Sequence, residues 1–159
     1  MNAVRVFTTE VSTPASAASV YALLADAPAW SRWAGPLITY AVWETAPGQD
    51  GVAPVRRLGR RPFLVREEIV AADEPFCHSY RMLSGQPVRS YEAQVRITED
   101  AESGGTRIVW TGQVVPLVRG AGRLTEHLFA WMIGGFARRL ASFAAAGEEA
   151  GTAPPRTHR

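Results

Sequence analysis

GRLTEHLFAWMIGGFARRLASFAAA, Gly122–Ala146, is the stretch on which the fold turns. At helical spacing Phe129, Met132, Ile133, Phe136, Leu140 and Phe143 share one arc, while Arg123, His127 and Arg138 lie opposite. That spacing predicts one long amphipathic helix with a dry face and a wet one. Gly134 and Gly135 stand in its middle, where each costs about 1 kcal/mol relative to alanine. They predict either a kink or the close approach of another backbone, and in a protein with a cavity such a point is a candidate gate.

Upstream of this helix the pattern is strand-like almost throughout. From Leu37 onward, apolar runs are separated by turn clusters at Pro47–Gly51, Gly59–Pro62, Asp73–Pro75, Ser84–Pro87 and Asp100–Gly105, spacing that predicts antiparallel hairpins. Nearer the N-terminus, Val4, Val6 and Val11 with Arg5, Thr8, Thr9 and Glu10 between them read as a first strand. Thr13 as N-cap and Pro14 at the first helical position predict a helix over Pro14–Ala25, with Ala17, Val20, Tyr21 and Leu24 on one face. A second short helix is expected over Pro28–Trp33, its Trp30 and Trp33 on one side. No βαβ spacing occurs, which excludes a doubly wound parallel sheet. The class is therefore α+β: a curved antiparallel sheet around one long C-terminal helix, a geometry that leaves a space between the two layers.

The 159 residues fit a single domain, assigned to 1–147, and the Pro-containing remainder, 148–159, reads as a disordered tail. All 17 basic residues are arginine and 15 residues are acidic, so the formal charge of +2 gives no strong field to direct the chain to nucleic acid. The single Cys77 excludes an intramolecular disulfide, no Cys/His spacing resembles a zinc site, and a cytoplasmic location is expected. Met1–Ser12 lacks the charged and apolar regions of a signal peptide, and no run of 18 apolar residues occurs, so no membrane insertion is expected. Gly120–Gly122 lacks the further glycine and the βαβ setting of a dinucleotide fingerprint. There is no Walker loop and no nucleophile elbow, so no cofactor is expected.

The stretches VYALLADAPAWSRW (Val20–Trp33), VREEI (Val65–Ile69), SYRMLSG (Ser79–Gly85), YEAQV (Tyr91–Val95) and GGTRIVW (Gly104–Trp110), in that order, resemble the SRPBCC or START-like superfamily, in particular its bacterial polyketide cyclase/dehydrase-like branch. The resemblance implies the helix-grip fold: a strand, two small helices, six further antiparallel strands, and a long terminal helix in the grip of the resulting seven-stranded sheet. It also implies a cavity for lipids, polyketides or other apolar molecules. Members include cyclases, carriers, sensors and interaction modules, and fold alone does not separate them. An acyl carrier protein is a candidate partner on this resemblance, and both monomer and homodimer remain open.

Alternation along the strands nominates the site residues. Tyr91, Ala93, Val95 and Ile97 form the apolar side of their strand, and Ile108, Trp110 and Val114 that of the next, with Gly112 leaving space. Phe76, Tyr80 and Met82 form an inner face that carries His78, whose imidazole near neutrality suits proton transfer; a hydrogen-bonded core histidine is the structural alternative. Phe63, Val65 and Ile69 share a face with Glu67, whose carboxylate in an apolar cavity would serve as an acid or base; an ion pair with Arg57 or Arg81 is the structural alternative. His78 and Glu67 are thus the candidate catalytic pair. Tyr80, Tyr91, Trp110, Met82, Trp33, Phe129, Met132 and Phe136 are the candidate ligand contacts, apolar surfaces with a few polar tips. Arg56, Arg57, Arg60, Arg61 and Arg66 form the one basic cluster, which could meet a phosphopantetheine carrier, RNA or membrane phosphates; a solvated hairpin is the commoner reading of such a run.

Overall fold

The computed structural model describes residues 3–152. Seven strands, β1 (Arg5–Thr13), β2 (Tyr40–Thr45), β3 (Val55–Arg60), β4 (Phe63–Asp73), β5 (Cys77–Ser84), β6 (Val88–Glu99) and β7 (Thr106–Pro116), form one sheet in the order β1-β7-β6-β5-β4-β3-β2. Every neighbouring pair is antiparallel. Between β1 and β2 lie helix α1 (Ala17–Ala25) and a one-turn 3₁₀ segment, Ala27–Ala29, that runs into the short helix α2 (Trp30–Trp33). The long helix α3 (Gly122–Thr152) closes the chain and packs on the sheet, most extensively against β1. This is the α+β sheet-and-helix arrangement expected from the hairpins and the single terminal helix, and the helix-grip architecture that the family resemblance implies.

The core follows from two periodicities meeting. On β6, Tyr91, Ala93, Val95 and Ile97 are buried and their neighbours face outward, while on β7 Ile108, Trp110 and Val114 are buried. Phe129, Ile133, Phe136 and Leu140 of α3 meet that inner face. Gly112 leaves room on β7 for the Phe7 ring, which stacks on Tyr91 with centroids 6.5 Å apart.

Several sequence expectations are corrected. Helix α1 starts three residues later than expected: Ser16, not Thr13, is its N-cap, accepting from Ser19 N at 3.2 Å. Thr13 instead donates to Ala141 O at 2.8 Å and accepts from Ala15 N, which ties β1 to α3, so its hydroxyl is committed to a tertiary bond. Helix α3 continues to Thr152, into the segment assigned to the tail. There the Glu148 carboxylate accepts from Ser16 N, Ser16 Oγ and Ser19 Oγ at 2.6–2.8 Å, anchoring the end of α3 to the start of α1. The rest of the predicted tail, 153–159, lies outside the described residues. Phe143 and Phe76, assigned to inner faces, are exposed, Phe76 because it sits in the turn that opens β5. The helix runs unbroken through Gly134 and Gly135; a Cβ at the buried Gly134 would lie nearest the Arg138 guanidinium of the same helix and at an ordinary 3.6 Å from Thr9 Oγ1 on β1, so neither the kink nor the close backbone approach expected of this glycine is found.

A candidate ligand cavity between helix and sheet

A cavity of about 180 Å³ lies between α3 and the inner face of strands β3 to β6. Its apolar walls are Trp30, Ile38, Leu58 and Val65 from one side and Met132, Ile133 and Phe136 from α3. Polar atoms enter it from Glu67, Tyr80, Tyr91 and Gln86, and Leu37 and Phe63 complete the lining. Gln86 Oε1 is buried there without a protein partner.

Its polar side is built around a residue the sequence placed on the surface. Arg56 is fully buried, because it shares the inward parity of Leu58 on β3 and stands opposite Glu67 of β4 in the strand register. Its Nε donates to Glu67 Oε2 at 2.8 Å, and Nη2 lies 2.8 Å from the same oxygen, in charge contact but off the hydrogen-bond axis. The guanidinium is sandwiched between two rings, 4.4 Å from the centre of Trp30 and 4.6 Å from that of Tyr80. Arg has the planar, weakly hydrated cation suited to such a position. Glu67 is therefore not the isolated carboxylate that an acid–base role presumed. The structural alternative holds, with Arg56 as partner rather than Arg57 or Arg81. Those two face outward instead: Arg57 binds Glu44, and Arg81 binds Glu68.

The two tyrosines form a hydrogen-bonded pair. Trp110 Nε1 donates to the Tyr80 hydroxyl at 3.2 Å, and the Tyr80 and Tyr91 hydroxyls are 3.3 Å apart. Burial, and for Tyr80 the Glu67 charge, push both phenols well above their ordinary range, so both keep their protons and act as neutral hydrogen-bonding groups.

The aromatic residues expected in the cavity divide between wall and support. Tyr80, Tyr91, Met132 and Phe136 line it, as does Glu67. Trp110 sits behind Tyr80, and Phe129 packs on Tyr91 with centroids 5.0 Å apart. Met82 is partly buried against the core outside the lining. Trp33 also lies outside: it packs on Trp30 and donates to Leu23 O at 3.0 Å. Trp30 Nε1 donates to Leu24 O at 2.8 Å, so the two indoles satisfy carbonyls at the end of α1, where a helix has no backbone donors left. That bond fixes Trp30 as cavity wall and as one plate of the arginine sandwich.

His78 departs from its expectation. It is buried beside Tyr21 and Tyr80, outside the cavity lining, and neither ring nitrogen meets a protein partner. Burial, and secondarily the positive Arg56, push it down to about 3, so the imidazole is neutral where a shuttle near pH 7 would have to titrate. Among the described residues no group of three or more His, Cys, Asp or Glu side chains is placed to hold a metal ion.

Comparison with known proteins agrees with this architecture. The family model described as "Polyketide cyclase / dehydrase and lipid transport" matches residues 5–148. A START superfamily protein from Mycobacterium smegmatis superposes with a TM-score of 0.75 at 17% identity, covering 89% of this chain and 97% of that one. The protein XoxI from Bacillus cereus does so at 0.72 and 19% identity, over 90% and 97% of the two chains. The di-domain ARO/CYC StfQ of the steffimycin biosynthetic pathway gives 0.73 at 15% identity over 94% of this chain, which spans 53% of StfQ. At these identities the likeness is one of fold. No curated protein sequence matches.

Proposed function

Since the chain belongs to the polyketide cyclase/dehydrase and lipid transport family, we propose that its cavity binds a small hydrophobic or aromatic, polyketide-like molecule and promotes its cyclisation or dehydration. The observation that carries this reading is the convergence of Glu67, Tyr80 and Tyr91 on an otherwise apolar space between α3 and the sheet. Size limits the occupant. A cavity of about 150 Å³ holds one benzene ring, so about 180 Å³ accepts one ring, with the remainder of a longer ligand directed outward past Leu37 and Phe63.

In the enzymatic version the chemistry is an intramolecular aldol step. Glu67 removes a proton from the carbon between two carbonyls, the resulting enolate carbon attacks a second carbonyl of the same chain, and the new alkoxide takes the proton back. Indole N–H can only donate, so the Tyr80 oxygen accepts from Trp110; the Tyr80–Tyr91 bond can run in either direction, and the mechanism uses the arrangement in which Tyr80 donates to Tyr91. The Tyr91 O–H is then free to bond the carbonyl that receives charge. His78, neutral and outside the cavity, takes no part.

One observation favours a second reading, a non-catalytic carrier or sensor: Arg56 already engages Glu67 Oε2 through both Nε and Nη2, which leaves one carboxylate oxygen to reach a substrate. Native mass spectrometry of freshly purified protein, with 2-naphthol binding read by tryptophan quenching, tests the shared premise. A stoichiometric apolar or aromatic molecule, or saturable quenching that Phe136→Arg abolishes, supports the cavity. A clean apo mass with no saturable quenching removes it. Turnover of a poly-β-carbonyl thioester that Glu67→Gln abolishes selects the enzyme; binding without turnover selects the carrier. A cytoplasmic location is proposed on the lone free Cys77.

A further inference from the structure

The rim of the cavity has a composition that neither the cavity chemistry nor the core explains. Phe63, at the tip of the β3–β4 hairpin, is 83% exposed although its ring borders the cavity, and Leu37 beside it is 44% exposed. A phenylalanine so open to water buries little apolar area in the free protein and adds correspondingly little to its stability. Its immediate neighbours are Arg60, Arg61 and Pro62, all exposed, with the Arg61 guanidinium lying 4.3 Å over the Tyr40 ring. The β5–β6 turn packs against this hairpin, Gly85 touching Leu64 and Val65 so closely that a side chain there would strike the Leu64 carbonyl. That turn leads into Arg89, also exposed. The three loop-side segments at the mouth, 34–40, 59–65 and 83–91, carry Arg60, Arg61 and Arg89 and not one Asp or Glu, and the helix side is the apolar Met132, Ile133 and Phe136 of α3.

We propose that this rim docks peripherally on an anionic phospholipid surface. Phe63 and Leu37 sit among the headgroups while Arg60, Arg61 and Arg89 meet the lipid phosphates, so the cavity opens toward the bilayer and takes its apolar ligand from there. Charge selects the occupant: the frame is purely cationic although the whole chain carries a net charge of only +2, and an anionic bilayer presents phosphates beside an apolar layer at the depth a single exposed ring reaches. Docking needs no spanning segment, in keeping with the absence, among the described residues, of a helix long and apolar enough to cross a membrane. Loading of the ligand from the bilayer rests on the cavity reading; the docking contact itself does not.

The test is co-sedimentation with vesicles of equimolar phosphatidylglycerol and phosphatidylcholine, against phosphatidylcholine alone, at low and high salt. Binding is expected to the anionic vesicles only and to weaken with salt. Arg60→Gln/Arg61→Gln should weaken it by about fivefold per arginine removed, and Phe63→Ser by about tenfold or more. Leu124→Ser, on the outer face of α3 where Leu124 and Trp131 are also exposed, should leave it unchanged. All four substituted residues are exposed, and unchanged thermal midpoints exclude misfolding as a cause. The proposal is overturned if the wild type does not sediment, if the rim variants sediment like the wild type, or if Leu124→Ser alone abolishes binding. It is equally overturned if vesicles fail and an isolated acyl carrier protein binds with the same dependence on Arg60, Arg61 and Phe63. Quenching by 2-naphthol without vesicles reports the cavity separately, so loss of docking and loss of the cavity reading are distinguishable.

Discussion

Replacing Arg56 by methionine removes a buried cation while keeping much of the volume of its stem. The side chain is 0% exposed and that of Glu67 is 6% exposed, so the carboxylate left behind gains little from solvent. Breaking a buried pair from one side costs about 3–5 kcal/mol. The loss of stacking on Trp30 and Tyr80 belongs to the same perturbation, partly offset by thioether–aromatic contact. For a domain of this size about 3 kcal/mol corresponds to a fall in Tm of roughly 6–12 °C. Glu67→Met should cost a similar amount by stranding the guanidinium. The double variant Arg56→Met/Glu67→Met leaves no buried charge and is expected within about 1 kcal/mol of the wild type, because apolar replacements of a buried pair are often neutral. Urea unfolding at pH 7.5 reads the cycle, with midpoints shifting at constant m. Additivity of the two single substitutions would refute the argument, as would an Arg56→Met cost below about 1 kcal/mol, since either means that water already solvates the pair. If Glu67→Met does not fold, recovery of stability from Arg56→Met to the double variant decides by itself.

Two further outcomes follow from groups next to the cavity. His78 is held at about 3 in the folded protein against 6.5 as its ordinary value, so the unfolded chain binds the extra proton between those pH values. Its contribution is intact above about pH 6.5 and is lost as pH falls toward 3, about 2 kcal/mol by pH 5. His78→Leu, similar in size and with no protein hydrogen bond to lose, should remove that part of the slope; parallel stability profiles for variant and wild type between pH 7.5 and 5 would contradict it. Gly112→Ala would place a methyl group inside the Phe7 ring that stacks on Tyr91. It should cost about 1–3 kcal/mol by overpacking and weaken 2-naphthol binding through displacement of Tyr91, and an unchanged unfolding midpoint would show that Phe7 has room to move.

The parity rule that buried Tyr91, Ala93, Val95 and Ile97 also bore on Arg56, which shares its strand face with Leu58. The signal was legible but overridden, because five arginines close together read as a solvated hairpin. Only pairing with β4 supplies the carboxylate that makes an inward arginine tolerable, and that pairing is a property of the sheet. His78 shows the complementary limit: alternation placed it inside, yet its proton affinity depends on the burial of the site and on Arg56, two strands away in the sheet, a proximity that follows neither from spacing nor from composition. Thr13 and Ser16 are both good N-caps, and the choice between them was made by Ala141, far along the chain.

Local periodicity therefore determined the element order, the long closing helix, the antiparallel hairpins and most of the inner face, because burial on one side of a strand or helix leaves its mark every second or every third to fourth residue. Tertiary structure alone decided which inward aromatics line the cavity and which stand behind it, which arginine is buried, and how little space remains. Those are differences between packed surfaces contributed by segments distant in sequence. A space of about 180 Å³ is the residue of that packing and has no signature in any one segment.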